Sequence, residues 1–115
     1  MLRRIVSSTL VALLLAAPFG ARADEADAQY QKGLAYFQTG KYDEAQASLE
    51  EALKLRPKYA AAHLTLGNVL KKKKQCDKAV PHYEDVIRLQ PDDHLAHGNI
   101  GYCLAQLGRQ PEAIN

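Results

Sequence analysis

Histidine and cysteine are the side chains of this chain best suited to chemistry, because both bind metal ions and cysteine also forms disulfides. His94 and His97 are three residues apart, and Cys103 follows on the same segment. His82 follows Cys76 by six residues. A metal site needs three or four ligands that converge, and these spacings do not define such a set. We therefore predict no metal ion and no other cofactor.

No enzyme motif accompanies these residues. The sequence contains no Cys-x-x-Cys-His haem attachment motif, no Gly-rich phosphate loop and no nucleophile elbow. We expect a protein without catalytic activity. One alternative stays open, a redox or metal-handling accessory protein that uses Cys76, Cys103 and the histidines.

The charge of the chain argues against a nucleic-acid partner. The sequence has 15 basic and 13 acidic residues, and three of the basic residues lie within residues 1–23, which leaves 12 basic against 13 acidic residues. Binding to nucleic acid needs a basic surplus on the folded domain. The run Lys71–Lys74 is expected at a helix end, where cations complement the helix dipole, so we interpret it as a solvated helix end.

Residues 1–23 have the pattern of an export signal. Met1–Arg4 is cationic, and Ile5–Phe19 is apolar apart from three hydroxyl residues. Ala21 and Ala23 are small residues at the two positions that a signal peptidase reads. A transmembrane anchor needs about 20 apolar residues, which is more than this run provides.

We therefore predict cleavage after Ala23 and a mature chain of residues 24–115 in the periplasm or the medium. Pro18 and Gly20 are expected to interrupt any helix at this point. The membrane is involved only through the export signal.

A period of 34 residues organises the rest of the chain. The residues that recur at this spacing are Gly33, Gly67 and Gly101; Ala45, Ala79 and Ala113; and Pro57 and Pro91. An internal period of this length indicates stacked copies of one supersecondary unit. The units are residues 26–59, 60–93 and a partial third, 94–115.

Each unit is predicted to form two helices. In the second unit, the apolar residues at helical spacing are Leu66, Gly67 and Leu70, then Ala79, Tyr83 and Val86. The turns between paired helices fall near Gly40, Lys74 and Gly108. Lys74 must adopt a left-handed conformation or reshape its turn, at a cost of about 1 kcal/mol. The glycines inside helices are expected where two helix axes approach closely.

This pattern resembles the tetratricopeptide repeat. The matching residues are Gly33, Tyr36, Ala45, Leu49, Ala52 and Pro57 in the first unit, Leu66, Gly67, Leu70, Ala79, Tyr83, Val86 and Pro91 in the second, and Ile100, Gly101, Leu104 and Ala113 in the third. The resemblance implies an all-α solenoid of antiparallel helix pairs, about two and a half repeats long. It also implies a scaffold for protein–protein interaction. His63 and His97 occupy the position of the family's first aromatic residue, so we expect their rings to pack between helices.

In this family the first helices of the units line a concave groove that holds a peptide or a helix of a partner protein. Helical geometry assigns eight residues of this chain to that groove: Tyr30, Leu34, Phe37, Leu64, Asn68, Lys71, Leu95 and Tyr102. Packing of the first three against the same chain is the alternative that stays open. Only Asn68 matches the family members that grip a terminal carboxylate, so we do not expect that mode of binding. The partner could belong to an envelope, secretion or cytochrome-maturation complex.

Residue counting across the turn near Pro91 predicts that Cys76 and Cys103 are free thiols. The count places Cys103 opposite a residue near position 81, about 7 Å along the helix axis from Cys76. Disulfides span Cα separations up to about 7 Å. Both thiols are therefore expected to be buried and unpaired.

The third unit has few residues for its second helix. Pro111–Ile114 provides only about one turn, and helices that short are marginal in water. The apolar side of the helix that carries Ile100 and Leu104 is therefore expected to be partly uncovered. We expect a longer natural chain, self-association, or completion of the pair by a partner.

Overall fold

The structure of the chain is a computed structural model, which describes the backbone of residues 19–114 and the side chains of residues 24–109. Over this range the chain forms five α-helices and no strand. The helices are α1 (Phe19–Gln38), α2 (Tyr42–Leu55), α3 (Ala60–Lys72), α4 (Cys76–Leu89) and α5 (His94–Ile114). Each helix packs against the next one along the chain. The predicted all-α solenoid of helix pairs is confirmed.

The same tight turn joins the two helices of each complete pair. Gly40 (φ 79°) and Lys74 (φ 63°) are both in the left-handed region. The backbone hydrogen bonds of the turns are Lys41 N–H to Tyr36 O (2.9 Å) and Gly40 N–H to Phe37 O (3.1 Å), then Gln75 N–H to Leu70 O (2.8 Å) and Lys74 N–H to Lys71 O (3.0 Å). This pair of bonds defines the Schellman motif. Of the two outcomes predicted for Lys74, the structure shows the left-handed conformation and an unchanged turn.

The core lies between the helices of each pair, at the recurring glycines. A Cβ atom added to Gly33 would lie 2.7 Å from Cγ of Leu49, and one added to Gly67 would lie 2.6 Å from Cε1 of Tyr83. Leu49 and Tyr83 are fully buried. The prediction that these glycines mark close helix contacts is confirmed for the first two units. At Gly101 an added Cβ would have no neighbour within 4 Å.

The prediction of two free thiols is wrong. Cys76, at the start of α4, and Cys103, in the middle of α5, form a disulfide with a Cα–Cα separation of 5.1 Å. Residue counting assumed that the two helices are strictly antiparallel on either side of a point-like turn. Packed helices cross at an angle, and the segment between Leu89 and His94 contributes its own rise, so residue numbers do not give the axial register between units.

The predicted turn near Gly108 is also wrong. α5 continues through Gly108 and Pro111 to Ile114, so Pro111 lies inside a helix and not at the start of a new one. A separate helix of one turn is unstable, and continuation of α5 satisfies more backbone hydrogen bonds. Leu104 on this helix is 55% exposed, which agrees with the predicted uncovered apolar side.

The first helix extends into the predicted export signal. α1 begins at Phe19, so Gly20 lies in its first turn. Whether Pro18 and Gly20 end a helix of the preceding apolar run concerns residues outside the described ones. The cationic start, most of the apolar run and Pro18 lie outside the described residues. No helix of the described part of the chain is both long and apolar enough to cross a membrane.

Candidate protein-binding groove

The three groove residues of α1 are half-buried and pack partly within the chain. The ring of Tyr30 lies 5.0 Å from that of Tyr59, and the ring of Phe37 lies 6.0 Å from that of Tyr42, centroid to centroid. Both Tyr30 and Phe37 contact the buried core. Leu34 is also half-buried. At this end of the predicted groove, the rings of Tyr30 and Phe37 therefore expose part of their apolar surface and also pack within the first unit.

A polar network lies at the centre of the predicted groove, where α3 meets α5. The hydroxyl of Tyr83 donates a hydrogen bond to Oδ1 of Asn68 at 2.7 Å, and Nδ2 of Asn99 donates to the same oxygen at 3.3 Å. Nζ of Lys71 donates to Oδ1 of Asn99 at 2.7 Å. These bonds hold Oδ1 of Asn68 toward its neighbours. Among the described residues, no group accepts a hydrogen bond from Nδ2 of Asn68.

The ammonium of Lys71 is held in place on two sides. Besides its bond to Asn99, Nζ lies 5.3 Å from the centroid of the Tyr102 ring, within the range of a cation–π contact. Burial lowers the pKa of Lys71, and the neighbouring charge of Lys72 adds to this effect. A partly desolvated ammonium is a good partner for an anionic group.

The third unit supplies the exposed apolar part of the predicted groove. Leu95 is 67% exposed and Tyr102 is 52% exposed, whereas Leu64 of α3 is half-buried. A surface cavity of about 190 Å³ adjoins this region and is lined by Lys71, Lys74, Cys76, Tyr102 and Gln106. Of the eight predicted groove residues, the structure places Asn68, Lys71 and Tyr102 in one connected cluster.

Asn99 is a member of this cluster that the predicted groove set omitted. A signal for it was present, because positions 95, 99 and 102 have the i, i+4, i+7 spacing of a single helix face. Tyr83 was expected only as a core residue. Burial raises the pKa of its hydroxyl, which keeps that group protonated as a donor to Asn68.

The lysine run at the end of α3 connects the repeats. Lys71 contacts Asn99 of the third unit, while Nζ of Lys73 lies 2.7 Å from Oδ1 of Asp43 and 2.8 Å from Oε1 of Gln46 in the first unit. The run is therefore only in part the solvated helix end that we predicted from the sequence.

Charged and aromatic groups also close the junction between the first two units. The carboxylate of Asp27 accepts hydrogen bonds from Arg56 and from the hydroxyl of Tyr59, the latter at 2.7 Å. The guanidinium of Arg56 also lies over the Tyr59 ring, 3.9 Å from its centroid. The Tyr59 hydrogen bond, followed by Arg56, lowers the pKa of Asp27. Burial and the bond to Asp27 raise the pKa of Tyr59 to about 12.

Two histidines make the same contact at the 34-residue period. Nε2 of His63 lies 2.8 Å from the carbonyl oxygen of Pro57, and Nε2 of His97 lies 3.0 Å from that of Pro91. Each ring thus links the start of a unit to the proline that closes the previous unit. His63 is buried, as expected of a packed ring, whereas His97 is exposed.

The cysteines of the open alternative do not join the histidines in a common site. The two cysteines form a disulfide, and thiolates rather than disulfides are metal ligands. Within the described side chains, His94 and His97 join no group of three metal-binding residues. His82 instead lies beside His63, and burial followed by the His63 charge lowers the pKa of His82.

Comparison with known proteins finds relatives in sequence. The Hsp70-Hsp90 organizing protein of Triticum aestivum is 31% identical over 72 residues, which cover 63% of this chain. The chain spans 12% of the length of that relative.

Solved structures with this fold include the crystal structure of MamA, with 32% identity and a TM-score of 0.72, covering 80% of this chain and 54% of that one. The second TPR domain of human RPAP3, solved in complex with an HSP70 peptide, has a TM-score of 0.66. The match covers 69% of this chain and 66% of the RPAP3 chain, and at 23% identity it supports the fold alone.

Two family models match overlapping parts of the chain. A model described as TPR repeat matches residues 33–74, and one described as tetratricopeptide repeat matches residues 64–114. The first match includes Gly33 and Gly67, and the second includes Gly67 and Gly101. Through residues 33–114, the chain belongs to the tetratricopeptide repeat family.

Proposed function

We propose that this chain is an exported, non-enzymatic scaffold that holds a peptide or a helical segment of a partner protein in the groove of its repeats. Tetratricopeptide repeat proteins mediate protein–protein interactions, which supports the general class. The observation that carries the proposal is the cluster of Asn68, Lys71, Asn99 and Tyr102, with exposed Leu95 on the same face of α5.

The chemistry of this cluster suits an extended peptide with an acidic group. Oδ1 of Asn68 is engaged by Tyr83 and Asn99, so its amide N–H groups are oriented to donate to a backbone carbonyl of a ligand. Lys71 provides a fixed positive charge for a carboxylate. Leu95 and the Tyr102 ring provide apolar contact area beside it.

Export is part of the proposal, with residues 1–23 as a signal cleaved after Ala23 and a periplasmic or secreted mature chain. The disulfide between Cys76 and Cys103 supports it, because disulfides persist in oxidising compartments. The partner would then belong to an envelope, secretion or cytochrome-maturation complex.

The groove can be tested by capture of partners from a periplasmic extract with three variants. Asn68→Asp keeps the acceptor for Tyr83 but removes the amide donors, and Tyr102→Ala removes the exposed ring. The control is Lys78→Ala, an exposed residue of α4. We expect both groove variants to lose the partner that the wild type and the control capture. Equal capture by all four proteins would refute the groove assignment.

The exposed apolar face of α5 is a second contact surface in this proposal. A cavity of about 610 Å³ opens between α4 and α5, and its apolar lining includes Val80, Ile87, Ile100 and Leu104. We propose that a second copy of the chain or a helix of the partner covers it. Sedimentation of the purified chain tests the first possibility, and a strictly monomeric chain with an unaltered distribution in Leu104→Ser would contradict self-association.

A further inference from the structure

Three potential metal ligands meet between α3 and α4 of the second unit. Nδ1 of His63 lies 3.1 Å from Nδ1 of His82 and 3.6 Å from Oδ2 of Asp85. All three ligand atoms lie within 4.8 Å of one another. Ligands of a tetrahedral zinc ion, bound at about 2.0–2.1 Å, are separated by roughly 3.3 Å. Small rotations of the side chains would therefore bring the three atoms around one ion.

The hydrogen bond on the far side of His63 prepares this ring as a ligand. Nε2 of His63 lies 2.8 Å from the carbonyl oxygen of Pro57, and a carbonyl can only accept. Nε2 therefore carries a proton, and in a neutral ring the lone pair is then on Nδ1, the atom that faces His82 and Asp85. A histidine that binds a metal typically donates its other N–H to a backbone carbonyl in this way.

The carboxylate of Asp85 has one oxygen directed to the same place. Its Oδ1 pairs with the exposed Arg88 at 2.9 Å, while Oδ2 faces His63. Oδ2 of Asp85 and Nδ1 of His63 lie 3.6 Å apart, so both atoms face the same point. The side chain of His63 is only 10% exposed, so few water molecules compete for this point.

The cluster remains accessible from the surface. His63 lines two cavities of about 330 and 350 Å³, of which one also contacts Asp85 and the other His82. An ion can enter from either side, and a water molecule can complete its coordination.

We propose that His63, His82 and Asp85 form a binding site for a divalent transition metal ion of the zinc type, with one coordination position open to water. Two imidazoles and one carboxylate suit zinc and, by the same preference, cobalt, nickel and copper. This site is independent of the groove proposed above and lies on different residues. It joins the two helices of the second unit by coordination bonds.

The chain provides a matched control for this site. His97 is equivalent to His63 and makes the same contact to a proline carbonyl, but it joins no cluster of metal-binding side chains among the described residues. His97→Gln therefore removes one histidine of the same repeat position without touching the proposed site.

The test is a zinc titration by isothermal calorimetry of the purified chain, prepared without a histidine tag and freed of metal by a chelator. We expect one saturable site in the wild type and in His97→Gln, and at least a tenfold weaker affinity in His82→Gln and in Asp85→Asn. No saturable binding by the wild type, or retained affinity in both cluster variants, would overturn the proposal. A loss of affinity in His97→Gln equal to that of the cluster variants would also overturn it.

Cobalt binding provides a measurement that does not depend on the stability of the variants. Circular dichroism first checks that each variant keeps its helix content. If a variant loses helix content, the absorption spectrum of the wild-type cobalt complex tests the proposed site instead. Strong visible bands of four-coordinate cobalt would support the site, and a weak octahedral spectrum would refute it.

Discussion

The glycines at equivalent positions of the second and third units should respond in opposite ways to substitution by alanine. In Gly67→Ala the new methyl group would lie 2.6–2.9 Å from three atoms of the Tyr83 ring. Tyr83 is fully buried and its hydroxyl is bonded to Asn68, so the ring cannot swing away. In Gly101→Ala the methyl group would meet no atom within 4 Å.

The magnitudes follow from two opposing effects. Alanine stabilises a helix interior by about 1 kcal/mol relative to glycine. Overpacking of a core costs about 1–3 kcal/mol, and a clash with a fixed aromatic ring belongs near the upper value. We therefore expect Gly67→Ala to lower the free energy of unfolding by about 2 kcal/mol and Gly101→Ala to raise it by about 1 kcal/mol.

Thermal and urea unfolding, followed by circular dichroism, measure both effects. For a domain of this size, a change of 1 kcal/mol shifts Tm by about 4–8 °C. The Tm values of the two variants should therefore differ by more than about 10 °C. A Gly67→Ala protein at least as stable as the wild type would refute the close approach of α3 and α4. A Gly101→Ala protein as unstable as Gly67→Ala would show that α5 is covered at this position.

Three further outcomes are expected. Lys74→Gly should raise the free energy of unfolding by about 0.5–1 kcal/mol, since glycine removes the left-handed strain, and a lower urea midpoint would contradict the turn geometry. Reduction of the Cys76–Cys103 disulfide, which closes a 27-residue separation, should lower the same free energy by about 3–4 kcal/mol. The double serine variant should match the reduced protein in urea unfolding, and equal stability with and without reductant would argue against the bond. An NMR titration should give Asp27 a pKa below the ordinary carboxyl value, and Tyr59→Phe should raise it, because the Tyr59 hydrogen bond is the main cause of the shift. Since the folded pKa is the lower one, this contribution to stability is present at neutral pH and is lost as the pH falls through the folded pKa; an unchanged Asp27 pKa in Tyr59→Phe would refute the assignment.

The fold was predictable because the repeat constrains each position more than once. Gly33 and Gly67 mark the same close contact, and Gly40 at the equivalent turn indicated a left-handed conformation as one of two outcomes for Lys74. Residue counting from the turn also predicts which side chains meet within a helix pair, when the turn between the two helices is short. His63 and Asp85 are each eleven residues from Lys74, and their side chains do meet. Both could have been placed together from the sequence alone.

Contacts between units were not predictable by the same count. The distance between Cys76 and Cys103 depends on the crossing angle of α4 and α5 and on the path between Leu89 and His94, which the sequence does not specify. The contact of Lys71 with Asn99 likewise depends on how the third unit rotates against the second. The groove was therefore predicted as a set of positions, and its internal network was not.

The disulfide changes the direction in which this solenoid should come apart. In a repeat protein each unit contacts only its neighbours, so unfolding starts at the ends and proceeds inward. The bond between Cys76 and Cys103 ties α5 to the beginning of α4, so α5 cannot separate from the second unit beyond Cys103. The first unit has no such covalent tie, because both cysteines of the chain are in the other two units. Amide hydrogen exchange should therefore be fastest in α1 and α2 under oxidising conditions, and reduction should shift the weakest point toward α5.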